Sequence, residues 1–144
     1  MLSYQTIIAK MFGLVPMPVM DQTCFVSSRV AHINYMSITG FEGDYDEAWF
    51  KKLYKEQYLG TYEKFSYCVE SKFGDYYYRV MPKEEAFNKG WHFESDPKKT
   101  LKNQYELDCF IRDNMNVKVV TDGPLWRAYG QIYNDPVENK TYLI

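Results

Sequence analysis

Gly123-Pro124-Leu125-Trp126-Arg127-Ala128-Tyr129-Gly130-Gln131-Ile132-Tyr133 is the stretch on which the reading of this fold turns. Asp122-Gly123-Pro124 has turn chemistry, and residues 125–133 then read as one long strand. Asn134-Asp135-Pro136 turns the chain into Thr141-Tyr142-Leu143-Ile144, a short second strand. A long strand beside a short one leaves backbone donors and acceptors without partners. The sequence therefore predicts an open edge at Leu125, Arg127, Tyr129, Gln131 and Tyr133. The rest of a larger domain, or another chain, would cover it.

Outward from that edge the pattern alternates between strand and helix. Residues 30–41 read as a strand, with Ile33, Tyr35, Ser37, Thr39 and Phe41 on one face and Met36 and Ile38 on the other. Asp46 is a helix N-cap with Glu47 beside it. Phe50, Leu53, Tyr54 and Tyr58 share a helical stripe that Gly60 ends. Residues 65–70 and 76–81 are strands around the hairpin turn Lys72-Phe73-Gly74-Asp75. A loop or irregular strand follows through Trp91-His92-Phe93, and Ser95-Asp96-Pro97 starts a helix to about Met115, with Leu107, Phe110, Ile111 and Met115 inward. Met20-Asp21-Gln22-Thr23 reads as a loop. The order strand, helix, hairpin, helix, strand, strand gives an α+β, mixed α/β class with two main helices rather than a doubly wound sheet.

The chain has 144 residues and a net charge of −2, a balance that does not point to nucleic acid. Mean hydropathy is −0.48, as in water-soluble domains. Cys24, Cys68 and Cys109 match no metal spacing and read as buried, reduced thiols, which favours an intracellular setting, cytoplasmic or membrane-associated. Residues 1–19 form an apolar N-terminal segment, and residues 20–144 a second unit. The first twenty residues carry no acid and one base, Lys10; Ile7, Ile8, Met11, Phe12, Leu14 and Val15 precede Pro16 and Pro18. Such a segment is too short to span a bilayer. A helix packed on the core or a partner is the favoured reading. A membrane-surface anchor comes second, its polar face nearly uncharged, and a mitochondrial presequence, without arginine, third.

Several segments resemble, in order, the bacterial-type wax ester synthase/diacylglycerol acyltransferases of the CoA-dependent acyltransferase superfamily. Met20-Asp21 with Cys24-Phe25 is similar to that family's N-terminal motif. His32 through Gly43 is similar to its first strand and Phe-Glu-Gly turn. Phe65 through Val80, Trp91-His92-Phe93 and Asp122-Gly123-Pro124-Leu125-Trp126 follow in register with later steps, although Gly123 stands where the family has arginine. The resemblance implies half of a chloramphenicol-acetyltransferase-like two-layer domain, with Asp21, His32, Pro124, Leu125 and Trp126 in structural roles. It implies acyl transfer from acyl-CoA to a fatty alcohol or diacylglycerol, by a base in a motif of two histidines, three variable residues and Asp-Gly.

That motif is not in this sequence, so no catalytic residue is assigned and the chain alone is expected to be inactive. His92-Phe93-Glu94-Ser95-Asp96 has the histidine–aspartate separation, but Trp91 and Pro97 replace the flanking residues. Acyl-CoA would enter as co-substrate only if another polypeptide completed the domain; no covalently bound cofactor and no metal is implied. Two alternatives remain: a non-catalytic structural or interaction subunit of a larger assembly, and an unrelated small α/β binding domain.

Overall fold

The computed structural model describes residues 3–28, 36–41, 46–92, 101–115, 117, 121–129, 132–135 and 140–143. The hairpin expected around residues 72–75 is its centre. β3 (Tyr67–Lys72) and β4 (Asp75–Val80) pair antiparallel from Tyr67↔Val80 to Lys72↔Asp75. Phe73 and Gly74 make the turn with φ of 53° and 87°. Two left-handed residues match the right-handed twist of the flanking strands. Phe65 and Ser66, expected in the first strand, belong instead to a 3-10 turn over Glu63–Ser66. β1 (Val15–Pro16) pairs with the other side of β4, giving the order β1-β4-β3.

Successive strand residues point to opposite faces, and Tyr77 and Tyr78 are both buried. α1 (Tyr4–Phe12) covers one face, packing Ile8, Ala9 and the following Leu14 against Tyr77. Ser3 caps it by accepting from the Thr6 amide, and Gly13 closes it at φ 65°. α2 (Val19–Ser28) covers the other face, where Met17 and Phe25 pack with Val69 and Tyr78. The loop expected at residues 20–23 is therefore helix, and the expected boundary between residues 19 and 20 falls inside it. Its polar run concealed it: Gln22 donates to the Met17 carbonyl and Thr23 to that of Val19.

A second core lies beyond the hairpin. Asp46 caps α3 (Glu47–Leu53) as expected, accepting from the Trp49 amide at 3.0 Å. The helix then widens to a π-turn over Tyr54–Tyr58 and continues as α4 (Leu59–Thr61). Gly60 does not end it; the chain leaves at Tyr62 with φ −115°, which any residue adopts. The helical conformation carries Leu59 into a core with Cys68, Met81, Ala86 and Phe87, ringed by Tyr54, Phe65, Trp91 and Trp126. α5 (Lys83–Gly90) replaces the expected loop: Pro82 precedes it, Glu84 and Glu85 sit in its first turn and Lys89 in its last.

The expected strand over residues 125–133 is divided. Residues 125–127 are not strand; β6 (Ala128–Tyr129) pairs in parallel with β5 (Trp91–His92), and β7 (Ile132–Asp135) pairs antiparallel with β8 (Lys140–Leu143). Over the described residues β7 and β8 match in length, so the inequality behind the expected open edge is not seen there, yet β7 is the outer strand of its sheet and its far side pairs with no described strand. β2 (Thr39–Phe41) completes the order β2-β8-β7; of the strand expected over residues 30–41, residues 36–38 are not strand and 30–35 lie outside the described residues. α6 (Gln104–Met115) starts where the Asn103 side chain accepts from the Glu106 amide, while the Glu106 carboxylate reaches back to accept from the Lys102 amide. The expected start at residues 95–97 lies outside the described residues, and residues 101–103 of the expected helix are described and not helical. Leu107 packs with Met36, Leu101, Phe110 and Ile111, whereas Met115 is exposed. The class is mixed α and β, with more than the two main helices expected.

Trp126 joins the second core to the C-terminal part. Its indole N–H donates to the Phe65 carbonyl at 2.7 Å, and its ring lies over Gly90, where an added Cβ would meet it at 2.7 Å. Ring and backbone leave no room for a methyl group. Gly90→Ala is expected to destabilise the fold by about 1–3 kcal/mol, seen as a lowered urea midpoint. An unchanged midpoint would mean that this contact is not held in solution.

Candidate functional site

Asp21, singled out in the sequence, sits in the first turn of α2 and faces the hairpin. Its Oδ2 accepts from the Tyr78 hydroxyl at 2.5 Å and from Lys64 Nζ at 2.9 Å. These hydrogen bonds, Tyr78 first and Lys64 second, hold its carboxyl below the ordinary 3.8 against the opposing effect of burial. Burial and then the Asp21 carboxylate push the Tyr78 phenol well above its ordinary value. Tyr67 extends the cluster: its ring lies 5.0 Å from that of Tyr78, and its hydroxyl donates to Glu63 at 2.8 Å. At neutral pH the phenol is a donor and the carboxylate a charged acceptor. Their chemistry is that of a tether between α2 and the hairpin.

The other resemblance residues separate. Pro124 is buried, Leu125 exposed, and Trp126 holds Phe65 as described; His32 lies outside the described residues. Of the expected partner-pairing edge, Arg127 is half-buried and not in a strand, and Gln131 lies outside the described residues. Tyr129 pairs with His92 and Tyr133 with Tyr142 inside the chain, in each case on one side of the strand only among the described strands. The His92–Asp96 alternative is only described to His92, whose backbone is committed to β5. Cys24 is exposed rather than buried, Cys68 is buried and Cys109 half-buried.

A different surface draws attention by its exposure. Tyr4, Ile7 and Met11 are spaced along one stripe of α1 and are 59%, 46% and 71% exposed, while Ile8 and Ala9 of the same helix are in the core. Phe12 follows, and its ring centroid lies 5.9 Å from that of Phe73 in the hairpin turn. Phe73 is 69% exposed and holds φ 53°. Asparagine or glycine is the usual occupant of such a position, and a bulky residue costs about 1–2 kcal/mol there. The turn and the apolar helix are each legible in the sequence on their own. Their adjacency is tertiary, and the only signal for it was the phenylalanine where Asn-Gly would be expected.

No helix among the described residues is long and apolar enough to cross a membrane, and no cluster of three or more potential metal ligands occurs among them. Compared with protein-family models, with curated proteins and with solved structures, the chain matches none.

The Asp21 tether sets a pH dependence. Its carboxyl binds protons less readily folded than unfolded, so its contribution is complete above about pH 3.8 and is lost as pH falls through the lower folded value. Asp21→Asn is expected to cost about 1–2 kcal/mol at pH 7. The difference between the two proteins' urea midpoints should shrink below pH 3.8. A difference independent of pH would show that the charge is not what holds α2.

Proposed function

We propose that the chain is a non-catalytic interaction module of a larger assembly, docking through the outer stripe of α1. One observation carries this reading. The helix buries Ile8 and Ala9 inward yet turns Tyr4, Ile7 and Met11 outward, and a surface stripe of large apolar groups beside an aromatic turn gains stability only when something covers it. With tagged full-length chain in its native source, the double variant Ile7→Glu/Met11→Glu should lose the wild-type complex while keeping its thermal midpoint. Retention of the same complex by a folded variant would refute the reading.

A second reading is the N-terminal half of an O-acyltransferase-like domain, with the two-layer arrangement of chloramphenicol acetyltransferases. It is supported by the way the resembling segments meet. Asp21 of the first bonds Tyr78 of the third, Trp126 of the last bonds Phe65, and β5, with Trp91-His92, pairs with the strand that follows Trp126. The isolated chain is expected to transfer no acyl group from acyl-CoA to a fatty alcohol or diacylglycerol. A polypeptide bearing the two adjacent histidines and Asp-Gly should restore transfer on binding. Turnover by the isolated chain would eliminate both this half-domain reading and the non-catalytic one.

A further inference from the structure

We infer that the surface made by α1 and the β3–β4 turn docks on an anionic lipid bilayer; this deepens the interaction-module reading and rests on it. Three features of the surface select this occupant. The first is shape. Phe73 projects at the tip of a two-residue turn, next to Phe12 at the end of a helix whose outer stripe is apolar. A protruding ring beside an in-plane helix is suited to the boundary between headgroups and acyl chains, where aromatic side chains settle.

The second is charge. Residues 3–20 contain no carboxylate, and Lys10 stands exposed in the last turn of α1. Lys72 lies 5.4 Å from the centre of the Phe12 ring. Its partner Glu70 is shared with Arg79, at 3.0 and 3.2 Å, so one carboxylate meets two cations there. Among the described residues, Lys10, Lys72 and Arg79 stand against Glu70 and, at the base of the turn, Asp75, a balance that favours anionic headgroups.

The third is extent. The five exposed side chains offer on the order of 500 Å², less than the ~800 Å² each partner contributes to a stable protein–protein interface, so the assembly that the stripe joins is one seated on a membrane. A bilayer sets no such requirement, because the rings insert rather than match a fixed surface. The left-handed conformation of Phe73 closes the hairpin turn, which asparagine or glycine would close at lower cost, and insertion gives the exposed phenylalanine ring a second environment.

The test is co-sedimentation of the full chain with vesicles of phosphatidylcholine containing phosphatidylserine, and of phosphatidylcholine alone. The wild type should bind the anionic vesicles more tightly. Phe73→Asn should weaken that binding by at least about tenfold, the effect of withdrawing one large apolar side chain. Asparagine tolerates the turn conformation, so the variant's urea midpoint should not fall and a loss of binding cannot be ascribed to unfolding. Lys10→Gln should narrow the preference for anionic vesicles. Equal binding by wild type and Phe73→Asn would overturn the lipid assignment. Self-association lost in Phe73→Asn, with no vesicle binding, would replace lipid by a second copy and leave the interaction module standing. No vesicle binding, together with unchanged native complexes in the Ile7→Glu/Met11→Glu variant, would remove both.

Discussion

Two adjacent tyrosines on β4 organise the N-terminal half of this molecule. Because neighbouring strand residues face opposite ways, burying both Tyr77 and Tyr78 requires cover on both sides of a small sheet. α1 supplies one side and α2 the other. The two sides differ in kind. Tyr78 finds a carboxylate for its hydroxyl, and that bond is charge-assisted and reinforced by Lys64. The hydroxyl of Tyr77 is buried with no hydrogen-bond partner among the described residues, a loss of about 1–3 kcal/mol. α2 is thus tethered by polar chemistry as well as packing. α1 is held by apolar contacts with Tyr77 and by the two-residue pairing of β1.

The second half depends on aromatic packing. Tyr54, Phe65, Trp91 and Trp126 surround Leu59 and Phe87, with ring centroids 5.1 Å apart for Tyr54–Trp91 and 5.2 Å for Phe87–Trp91. The π-turn over residues 54–58 stacks Tyr54 on Tyr58 at 4.8 Å. Glycine at position 90 lets the Trp126 ring approach the α5 backbone. A single indole then links a turn before β3, the end of α5 and the segment leading to β6.

The elements legible in the sequence were those specified locally. The hairpin turn, the Asp46 cap and the apolar N-terminal helix each carry their signal within a few residues. What was missed is set by contacts distant in sequence. α2 opens with Asp-Gln-Thr, and its polar residues are satisfied by Tyr78, Lys64 and nearby carbonyls rather than by loop conformation. Residues 125–133 have strand-like composition, yet Trp126 is drawn to Phe65 and the strand begins only at Ala128. Gly60 looked like a stop because its neighbour Leu59 gave no local sign of a deep place in the core. At the candidate surface, the exposed stripe of α1 was visible as apolar sequence. Which side would remain uncovered depended on where Tyr77 lay.

That arrangement bears on the order in which the proposed docking surface forms. A helix of nine residues is marginal on its own, and its inner stripe needs the hairpin before it can be stable. The hairpin in turn is fixed in register by its two-residue turn, so Phe73 is held beside Phe12 before any partner arrives. Ordering costs that a flexible segment would incur on binding are then met on folding. The strained phenylalanine fits this logic: its conformational cost falls on the hairpin, which twists as the turn requires, and the exposed ring is already positioned. A polar residue would relieve the turn but leave the end of α1 without its aromatic neighbour. Local stability and an exposed apolar surface are in conflict at this position, and the sequence resolves the conflict in favour of the surface.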